Sequence, residues 1–316
     1  MRILVTGGAG FIASHVVDAY LAAGHAVAVV DNLSTGRRKN INPAAVFYPV
    51  DIRNGQALKE AFAAFRPEIV NHHAAQMDVR KSVEDPAFDA TVNILGTINV
   101  LAQARHYAAR RVIYASTGGA VYGEPLRVPV GEEHPIKPIC PYGITKHTVE
   151  HYLYTWRALY GLDYVVLRYP NVYGPRQNPA GEAGVVAIFA GQMLAGHPVT
   201  IRGDGEQMRD YVHVSDIARA NVAALGAPPG IYNLGAGRGV TVNQIFDYVR
   251  QATGYAQAPI YGPTKAGEIR AIYLDAAYAQ RGMGWYPQVA LEDGIQETVD
   301  YIRVNEKGQH VQALTE

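Results

Sequence analysis

The sequence predicts an α/β protein in which a doubly wound parallel sheet is joined to a smaller, mixed α/β lobe in the C-terminal half. Up to Tyr169, short runs rich in valine and isoleucine alternate with longer helix-like segments, as is typical of a parallel sheet covered by helices. The predicted strands are RILVT, AVAVVD, VFYPVD, EIVNHHA, RRVIYAS and DYVVLRY. After Tyr169 the segments shorten and are interrupted by glycine and proline, which indicates a loop-rich lobe.

The domain boundaries follow from this change of rhythm. We expect residues 1–169 to form the sheet domain. We expect residues 210–250 to return to it, because RDYVHVSDIARANVAAL and IYNLGAG have the patterns of a helix and a strand. Residues 170–209 and 251–316 would then form the substrate-facing lobe.

Composition excludes several classes of protein. With 316 residues, 28 basic and 28 acidic, the chain has no net charge to attract nucleic acid or an anionic membrane. No apolar run approaches the roughly 18 residues of a membrane helix. A single cysteine, Cys140, forms no intramolecular disulfide. We therefore expect no nucleic-acid partner, no membrane association and a cytoplasmic location.

A glycine-rich turn follows the first predicted strand. From Gly7 to Gly10 the chain turns sharply into a helix, and glycines there let backbone N–H groups approach a pyrophosphate at the helix N-terminus. The last motif position, usually glycine, is Ala13, the smallest alternative side chain. This arrangement is typical of a dinucleotide-binding Rossmann sheet.

Acidic residues at the ends of the next two predicted strands strengthen this interpretation. Asp31 follows Gly10 by 21 residues, where a carboxylate accepts hydrogen bonds from an adenosine ribose, and Asp51 closes the third predicted strand. Because a carboxylate at Asp31 repels a 2′-phosphate, NAD is favoured over NADP. Arg37 and Arg38 lie close enough in sequence to leave NADP open.

A tyrosine and a lysine four residues apart form the predicted catalytic pair. Tyr142 and Lys146 lie at the start of a helical segment, so they share one helix face, and a nearby ammonium favours the phenolate. A second such pair, Tyr261 and Lys265, spans a glycine and a proline that oppose a helix. The first pair follows Ser116–Thr117, at the end of a predicted strand, where ligands bind in parallel sheets.

Seven segments carry a resemblance to a known family, in order along nearly the whole chain. They are TGGAGFIASH, DNLSTG, YASTGGAVYGE, PYGITK, LRYPNVYGPRQ, RDYVHVSDIA and YNLGAG. Together they resemble the extended short-chain dehydrogenase/reductases, and most closely their UDP-glucose 4-epimerase branch. The resemblance implies bound NAD and inversion at C4 of a UDP-hexose through a transient 4-keto sugar.

The same resemblance implies roles for individual residues. Tyr142 takes the proton from the sugar 4-hydroxyl, while Lys146 holds the nicotinamide ribose and lowers the pKa of Tyr142. Thr117, with Ser116 beside it, hydrogen-bonds the same sugar oxygen. The implied cofactor-binding residues are Gly7, Gly10, Phe11, Ile12, Asp31, Asn32, Asp51, Ile52, Asn93, Lys146 and Tyr169.

The implied substrate-binding residues include departures from the family pattern. Asn171 and Arg209 would hold the diphosphate of the nucleotide sugar, a role that suits a guanidinium. Lys265 and Glu268 stand where the family commonly has arginine and aspartate. Ile272 stands where a residue limits the sugar pocket. Because isoleucine is intermediate in size, glucose, galactose and their N-acetylated forms all stay open.

Two other functions fit the same scaffold. A nucleotide-sugar 4,6-dehydratase or decarboxylase resembles this chain, but dehydration needs an acid and a base directly after Thr117. Gly118–Ala120 cannot move protons, and the nearest carboxylate is Glu124. A non-catalytic NAD-sensing protein is the third alternative, although such a protein usually lacks the Tyr142–Lys146 pair.

Two further features concern metals and assembly. His147, Glu150 and His151 match an inverted zinc-protease motif, but the family resemblance already accounts for this helix, so we expect no metal. The resemblance also implies a homodimer through helices near residues 89–107 and 145–160.

Overall fold

The computed structural model describes residues 1–179, 184–264 and 269–312, with side chains described up to residue 305. The strands are β1 (Arg2–Thr6), β2 (Ala26–Val30), β3 (Val46–Tyr48), β4 (Ile69–His72), β5 (Arg111–Thr117), β6 (Asp163–Tyr169), β7 (Asn171–Tyr173), β8 (Thr200–Arg202), β9 (Met208–Arg209), β10 (Tyr211–His213), β11 (Gly230–Asn233), β12 (Val240–Thr241), β13 (Ile260–Gly262) and β14 (Ala271–Ile272). The helices are α1 (Phe11–Ala22), α2 (Gly55–Phe65), α3 (Val79–Glu84), α4 (Pro86–Ala90), α5 (Gly96–His106), α6 (Pro141–Tyr160), α7 (Val185–Leu194), α8 (Val214–Ala223), α9 (Val242–Thr253), α10 (Ala277–Met283) and α11 (Leu291–Gln312). None of the described helices is long and apolar enough to cross a bilayer.

The central feature is a parallel sheet of seven strands in the order β11-β6-β5-β4-β1-β2-β3. Its strands are continuously apolar because helices cover both faces. Within β1, Ile3 and Val5 are buried in the cluster that includes α1, whereas Leu4 is buried in the opposite cluster, beneath α2, α5 and α6. The expected fold class is confirmed.

The return of the chain to the sheet is shorter than expected. Helix α8 packs on α1, and β11 pairs with β6, so residues 214–233 do rejoin the sheet. Helix α9 does not, although the expected segment ran to residue 250. Its apolar residues Ile245, Phe246 and Val249 recur at helical spacing and are buried against α7 and α11, in a separate core.

Helix α10 was expected to belong to the smaller lobe but packs on the large sheet. Its Ala279, with Trp285 just beyond it, is buried in the core of the large sheet next to β11. The Trp285 indole also donates a hydrogen bond to the backbone oxygen of Asp216 on α8 (2.8 Å). The smaller lobe is thus built on α7, α9 and α11 with three short sheets, β7–β10, β8–β13 and β12–β9–β14.

One helical stretch contains a local irregularity. The helix expected over residues 89–107 is observed as α4 and α5 joined by a π-helical turn at Thr91–Leu95, which contains the buried Asn93. Single π-turns are rare and occur frequently at functional sites. This turn borders α6, the helix that carries Tyr142 and Lys146.

Candidate active site

The glycine-rich turn forms an anion cradle at the start of α1. Gly7 has φ +71°, and a Cβ there would lie 2.7 Å from the backbone nitrogen of Ala74, so only glycine fits. Gly10 precedes α1 without capping it, and the N–H groups of Phe11 and Ile12 have no acceptor within the helix. These exposed donors and the helix dipole fit the pyrophosphate of a dinucleotide.

Asp31 follows β2 directly beside this cradle. Its carboxylate accepts hydrogen bonds from the N–H groups of Ala9 (3.0 Å) and Leu33 (2.7 Å). Burial raises the Asp31 pKa, and the two backbone hydrogen bonds oppose that shift. A carboxylate has about four lone-pair sites, so it retains acceptors for ribose hydroxyls. The position therefore suits the ribose contact expected of Asp31.

The other residues predicted to flank the adenosine lie near Asp51. Strand β3 ends at Tyr48, so Asp51 lies in the following turn rather than at a strand end, as was expected. Its carboxylate accepts hydrogen bonds from Asn32 (2.8 Å) and Arg53 (2.7 Å), and the Arg53 guanidinium is the main reason why its pKa is about 2. The Ile52 side chain is buried in the core beneath α2 and α5.

The structure brings Tyr142 and Lys146 together on α6. The Lys146 ammonium lies 5.9 Å from the Tyr142 ring centre and donates a hydrogen bond to the backbone oxygen of Ala115 at 2.8 Å. Burial lowers the Lys146 pKa to about 8. Burial also raises the Tyr142 pKa, opposite to the lowering expected from Lys146, because removing a phenolate from water is costly.

Thr117 and Ser116 differ, although both were expected at the sugar oxygen. Thr117 ends β5 opposite Tyr169 and is half-buried. Ser116 is buried, and its hydroxyl donates to the Glu150 carboxylate at 2.6 Å. Because neighbouring side chains on a strand point to opposite faces, only one of the two reaches a given site. In this structure the Ser116 hydroxyl is used by Glu150, and a role for Ser116 at the sugar oxygen stays a prediction.

A buried ion pair lies behind Ser116, and sequence reasoning missed it as a functional element. Arg168 on β6 donates to both carboxylate oxygens of Glu150 at 3.0 and 2.6 Å, and to the Tyr122 hydroxyl at 2.7 Å. Burial raises the pKa of the Glu150 carboxyl, but hydrogen bonds from His147, Arg168 and Ser116 outweigh it and hold that pKa at about 2. Helix α6 is thereby tied to the sheet one turn after Lys146.

The histidines of the zinc-like motif belong to this network. The His147 Nδ1 lies 3.0 Å from the Glu150 carboxylate, and its Nε2 lies 3.1 Å from the Nε2 of His151. Among the described residues, no group of three or more histidine, cysteine, aspartate or glutamate side chains is arranged to hold a metal ion. The motif here contributes contacts to the packing of α6.

Asn93 links the π-helical turn to the loop after β4. Its amide oxygen accepts a hydrogen bond from the N–H of Gln76 (2.8 Å), and its nitrogen donates to the Gln76 backbone oxygen (3.0 Å). The same nitrogen lies 3.1 Å from both the Asp89 carboxylate and the Thr145 hydroxyl. The polar atoms of Asn93 are therefore used within the protein, next to α6.

Tyr169 and His73 are in contact next to the glycine turn. The Tyr169 hydroxyl lies 2.9 Å from His73 Nε2 and accepts a hydrogen bond from Asn221 (2.8 Å). Burial lowers the His73 pKa to about 3, so the ring is neutral. Its buried Nδ1 has no hydrogen-bond partner among the described residues, and a Cβ on Gly7 would lie 3.0 Å from the His73 carbonyl carbon. This orphaned nitrogen at the cradle fits a polar ligand.

Three of the five predicted substrate residues, Asn171, Arg209 and Ile272, lie on strands of the short sheets. Asn171 donates its N–H to the Asp210 backbone oxygen (2.9 Å), and Arg209 pairs with Ile272 across β9 and β14. The Ile272 side chain is buried against the segment that follows β5. Lys265 and Glu268 lie outside the described residues.

A sequence model of the NAD dependent epimerase/dehydratase family matches residues 3–235.

The chain belongs to the NAD dependent epimerase/dehydratase family. This family match includes the glycine turn and the Tyr142–Lys146 helix. A putative UDP-glucose 4-epimerase of Methanocaldococcus jannaschii is 46% identical over 305 residues, which cover 96% of this chain and 99% of that protein.

Two solved structures of family members have the same fold. UDP-glucose 4-epimerase from Thermotoga maritima, solved with UDP-glucose, is 49% identical with a TM-score of 0.95, covering 97% of this chain and all of that one. The Thermus thermophilus enzyme of the same name, solved in complex with NAD, is 46% identical with a TM-score of 0.91, covering 96% of this chain and 99% of that one. The similarity therefore extends beyond the Rossmann sheet into the smaller lobe.

Proposed function

We propose that this protein is an NAD-dependent epimerase that inverts C4 of a UDP-hexose, with UDP-glucose and UDP-galactose as the first candidate substrates. The observation that carries the proposal is the position of the Tyr142–Lys146 pair. Helix α6 packs on β5, the strand that ends at Thr117, and the Lys146 ammonium donates to the Ala115 backbone oxygen of that strand, in the same sheet that carries the glycine cradle and Asp31. The three relatives named above, all described as UDP-glucose 4-epimerases, support the same reaction.

The residues described above fit NAD. The cradle from Gly7 to Ile12 would hold the pyrophosphate, Asp31 the adenosine ribose and Lys146 the nicotinamide ribose. When bound, NAD supplies a hydride acceptor for C4 and a positive charge that favours the Tyr142 phenolate.

The side chains of the protein move one proton and hold the substrate in place. Tyr142 removes the proton of the 4-hydroxyl and later returns it, while Thr117 hydrogen-bonds the same sugar oxygen. Asn171 and Arg209 hold the diphosphate, so the 4-keto sugar rotates about a fixed anchor and presents its opposite face. The configuration at C4 is thereby inverted without net oxidation of the sugar.

The direct test is incubation with UDP-glucose, UDP-galactose and their N-acetylated counterparts, followed by NMR of the anomeric protons. We expect at least one pair to reach the same equilibrium mixture from either side. The N-acetylated pair shows whether the pocket next to Ile272 accepts the larger substituent. Failure to invert any of these four sugars would end the proposal and favour a protein that senses NAD without turnover.

The structure gives a physical reason to rank the dehydratase or decarboxylase second. The position after Thr117 is Gly118, whose N–H donates to the Tyr169 backbone oxygen (2.8 Å), and any Cβ there would collide with the Leu274 side chain. An acid or base therefore cannot stand at this position without moving Leu274. A product that has lost its 6-hydroxyl, or carbon dioxide released from a UDP-uronic acid, would reverse this ranking.

We also propose that the protein is cytoplasmic, where Cys140 stays reduced. We further propose that it forms a homodimer through α5, α6 and the adjoining π-helical turn. Four large apolar side chains support this interface because they are more than half exposed on these elements: Leu95, Ile144, Tyr154 and Leu159. Sedimentation velocity is expected to give twice the chain mass, and Leu159→Asp to shift the protein toward monomer. Val304→Asp, at an equally exposed apolar position on α11, is the control. A wild-type protein of single-chain mass would contradict the proposal.

A further inference from the structure

Asp89 is a fully buried carboxylate that the proposed mechanism does not use. It lies on α4 with no exposed surface, and no lysine, arginine or histidine forms a salt bridge with it among the described residues. A buried charge without a partner is costly, so its position is informative.

Three neutral groups donate hydrogen bonds to Asp89. Gln76 (2.9 Å) and Asn93 (3.1 Å) donate to Oδ1, and the Thr145 hydroxyl donates to Oδ2 at 2.7 Å. These donors come from the loop after β4, the π-helical turn and the first turns of α6, and Thr145 directly precedes Lys146. Asp89 therefore joins the three elements that meet behind the catalytic pair.

The charges around Lys146 differ in how far they are neutralised. On α6 itself, Glu150 is close, but the guanidinium of Arg168 lies 2.6 Å from its carboxylate and both side chains are 2% exposed. Among the described residues, Asp89 has no such counterion. Asp89, on a different helix, is therefore a carboxylate near Lys146 that no cationic side chain pairs with in the part of the chain that the structure describes.

The other groups that face the pair add little negative charge. Burial keeps His72 and His73, at the end of β4, neutral with pKa values of about 3. Burial also raises the pKa values of the Tyr114 phenol on β5 and the Cys140 thiol before α6, so both stay protonated. The Tyr114 ring lies 4.9 Å from the Lys146 ammonium.

We infer that Asp89 is a positioning residue whose negative charge keeps the buried Lys146 side chain as an ammonium and sets the pH range in which the Tyr142–Lys146 pair works. The inference depends on the proposed function only in that it takes Tyr142 and Lys146 to be the catalytic pair. In support, burial lowers the Lys146 pKa and Asp89 opposes this more strongly than Glu150 does. Asp89 also adds to the increase that burial causes in the Tyr142 pKa.

The test replaces the charge and keeps the shape. In Asp89→Asn, the amide oxygen still accepts from Gln76 and Asn93. Its NH₂ group donates to the Thr145 hydroxyl, which turns to the backbone oxygen of Tyr142, 3.1 Å away. The readout is ¹⁵N NMR of lysine-labelled full chain, with Lys146 assigned by Lys146→Met. We expect the Lys146 titration midpoint to fall by about one pH unit, the size of shift that a nearby charge produces.

Asp85→Asn is the matched control, because it removes an exposed carboxylate at the start of the same helix and leaves an equally good cap. Its Lys146 midpoint should equal that of the wild type. An unchanged midpoint in Asp89→Asn would overturn the inference. If that variant does not fold, Asp89→Ser decides in the same way, because serine is neutral and also accepts hydrogen bonds.

A second readout separates this role from a structural one. Loss of the Asp89 charge lowers the pKa values of both Tyr142 and Lys146, so the whole pH profile of kcat/KM should move to lower pH. If Asp89 had only a structural role, replacing it would lower kcat/KM at every pH without shifting the profile along the pH axis. The NMR titration needs no turnover, so it stands or falls independently of whether the protein inverts UDP-hexoses.

Discussion

Tyr142→Phe is expected to lower kcat for C4 inversion by roughly 10³-fold, within the range that a positioned general base contributes. Phenylalanine keeps the ring and removes only the hydroxyl that takes the sugar proton. The ring contacts with Lys146 and the start of α6 stay in place, so the fold and NAD binding should be unchanged.

The measurement is the initial rate of inversion by NMR, together with the NAD content and thermal midpoint of the same preparation. Tyr154→Phe is the matched control, because Tyr154 lies on the same helix with a side chain that is mostly exposed. It should invert at the wild-type rate. A Tyr142→Phe protein that binds NAD and keeps more than a tenth of the wild-type rate would show that another group takes the proton.

The sheet and the catalytic pair could be predicted because their signals are local. Alternation of apolar runs and helices specifies the parallel sheet, and the spacing of four places Tyr142 and Lys146 on one face of a helix. The glycine turn is equally local, since the positive φ of Gly7 is a property of one residue and its neighbours.

The features that could not be predicted from the sequence depend on contacts between residues that are distant along the chain. Arg168 lies 18 residues from Glu150, directly after the apolar residues Val165–Leu167 of β6, and no local pattern pairs it with Glu150. Asp89 stands at a helix start that looks exposed in the sequence, and it is buried where α4 packs on the π-helical turn and α6. Ser116 and Thr117 look equivalent, and only the register of β5 shows which hydroxyl belongs to Glu150. Helix α9 has an apolar face that fits either core.

Arg168→Met is expected to lower the free energy of unfolding by about 3–5 kcal/mol, the usual cost of removing one partner from a buried ion pair. The methionine leaves the Glu150 carboxylate, 2% exposed, without its guanidinium, and leaves the Tyr122 hydroxyl without a donor. Chemical denaturation at pH 7 measures the change. Because Glu150 follows Lys146 by one helical turn, kcat should fall as well.

Two controls identify the cause of this loss. Arg157→Met removes a guanidinium from an exposed pair, since Arg157 and Asp163 are 50% and 33% exposed, and should cost at most about 1 kcal/mol. The double variant Arg168→Met, Glu150→Met removes both buried charges and should recover much of the loss. A double variant less stable than Arg168→Met alone would contradict this account.

The stabilisation that the Glu150–Arg168 ion pair gives to the folded protein should depend on pH. The Glu150 pKa is about 2 in the folded protein, against an ordinary value of 4.5, so the ion pair stabilises the folded state most above pH 4.5. That contribution is lost as the pH falls toward 2, because the carboxyl becomes protonated. The difference in unfolding free energy between wild type and Arg168→Met should therefore be constant near neutrality and shrink below pH 4.5. A difference that stays constant down to pH 2.5 would mean that lost packing, rather than the unpaired charge, destabilises the variant.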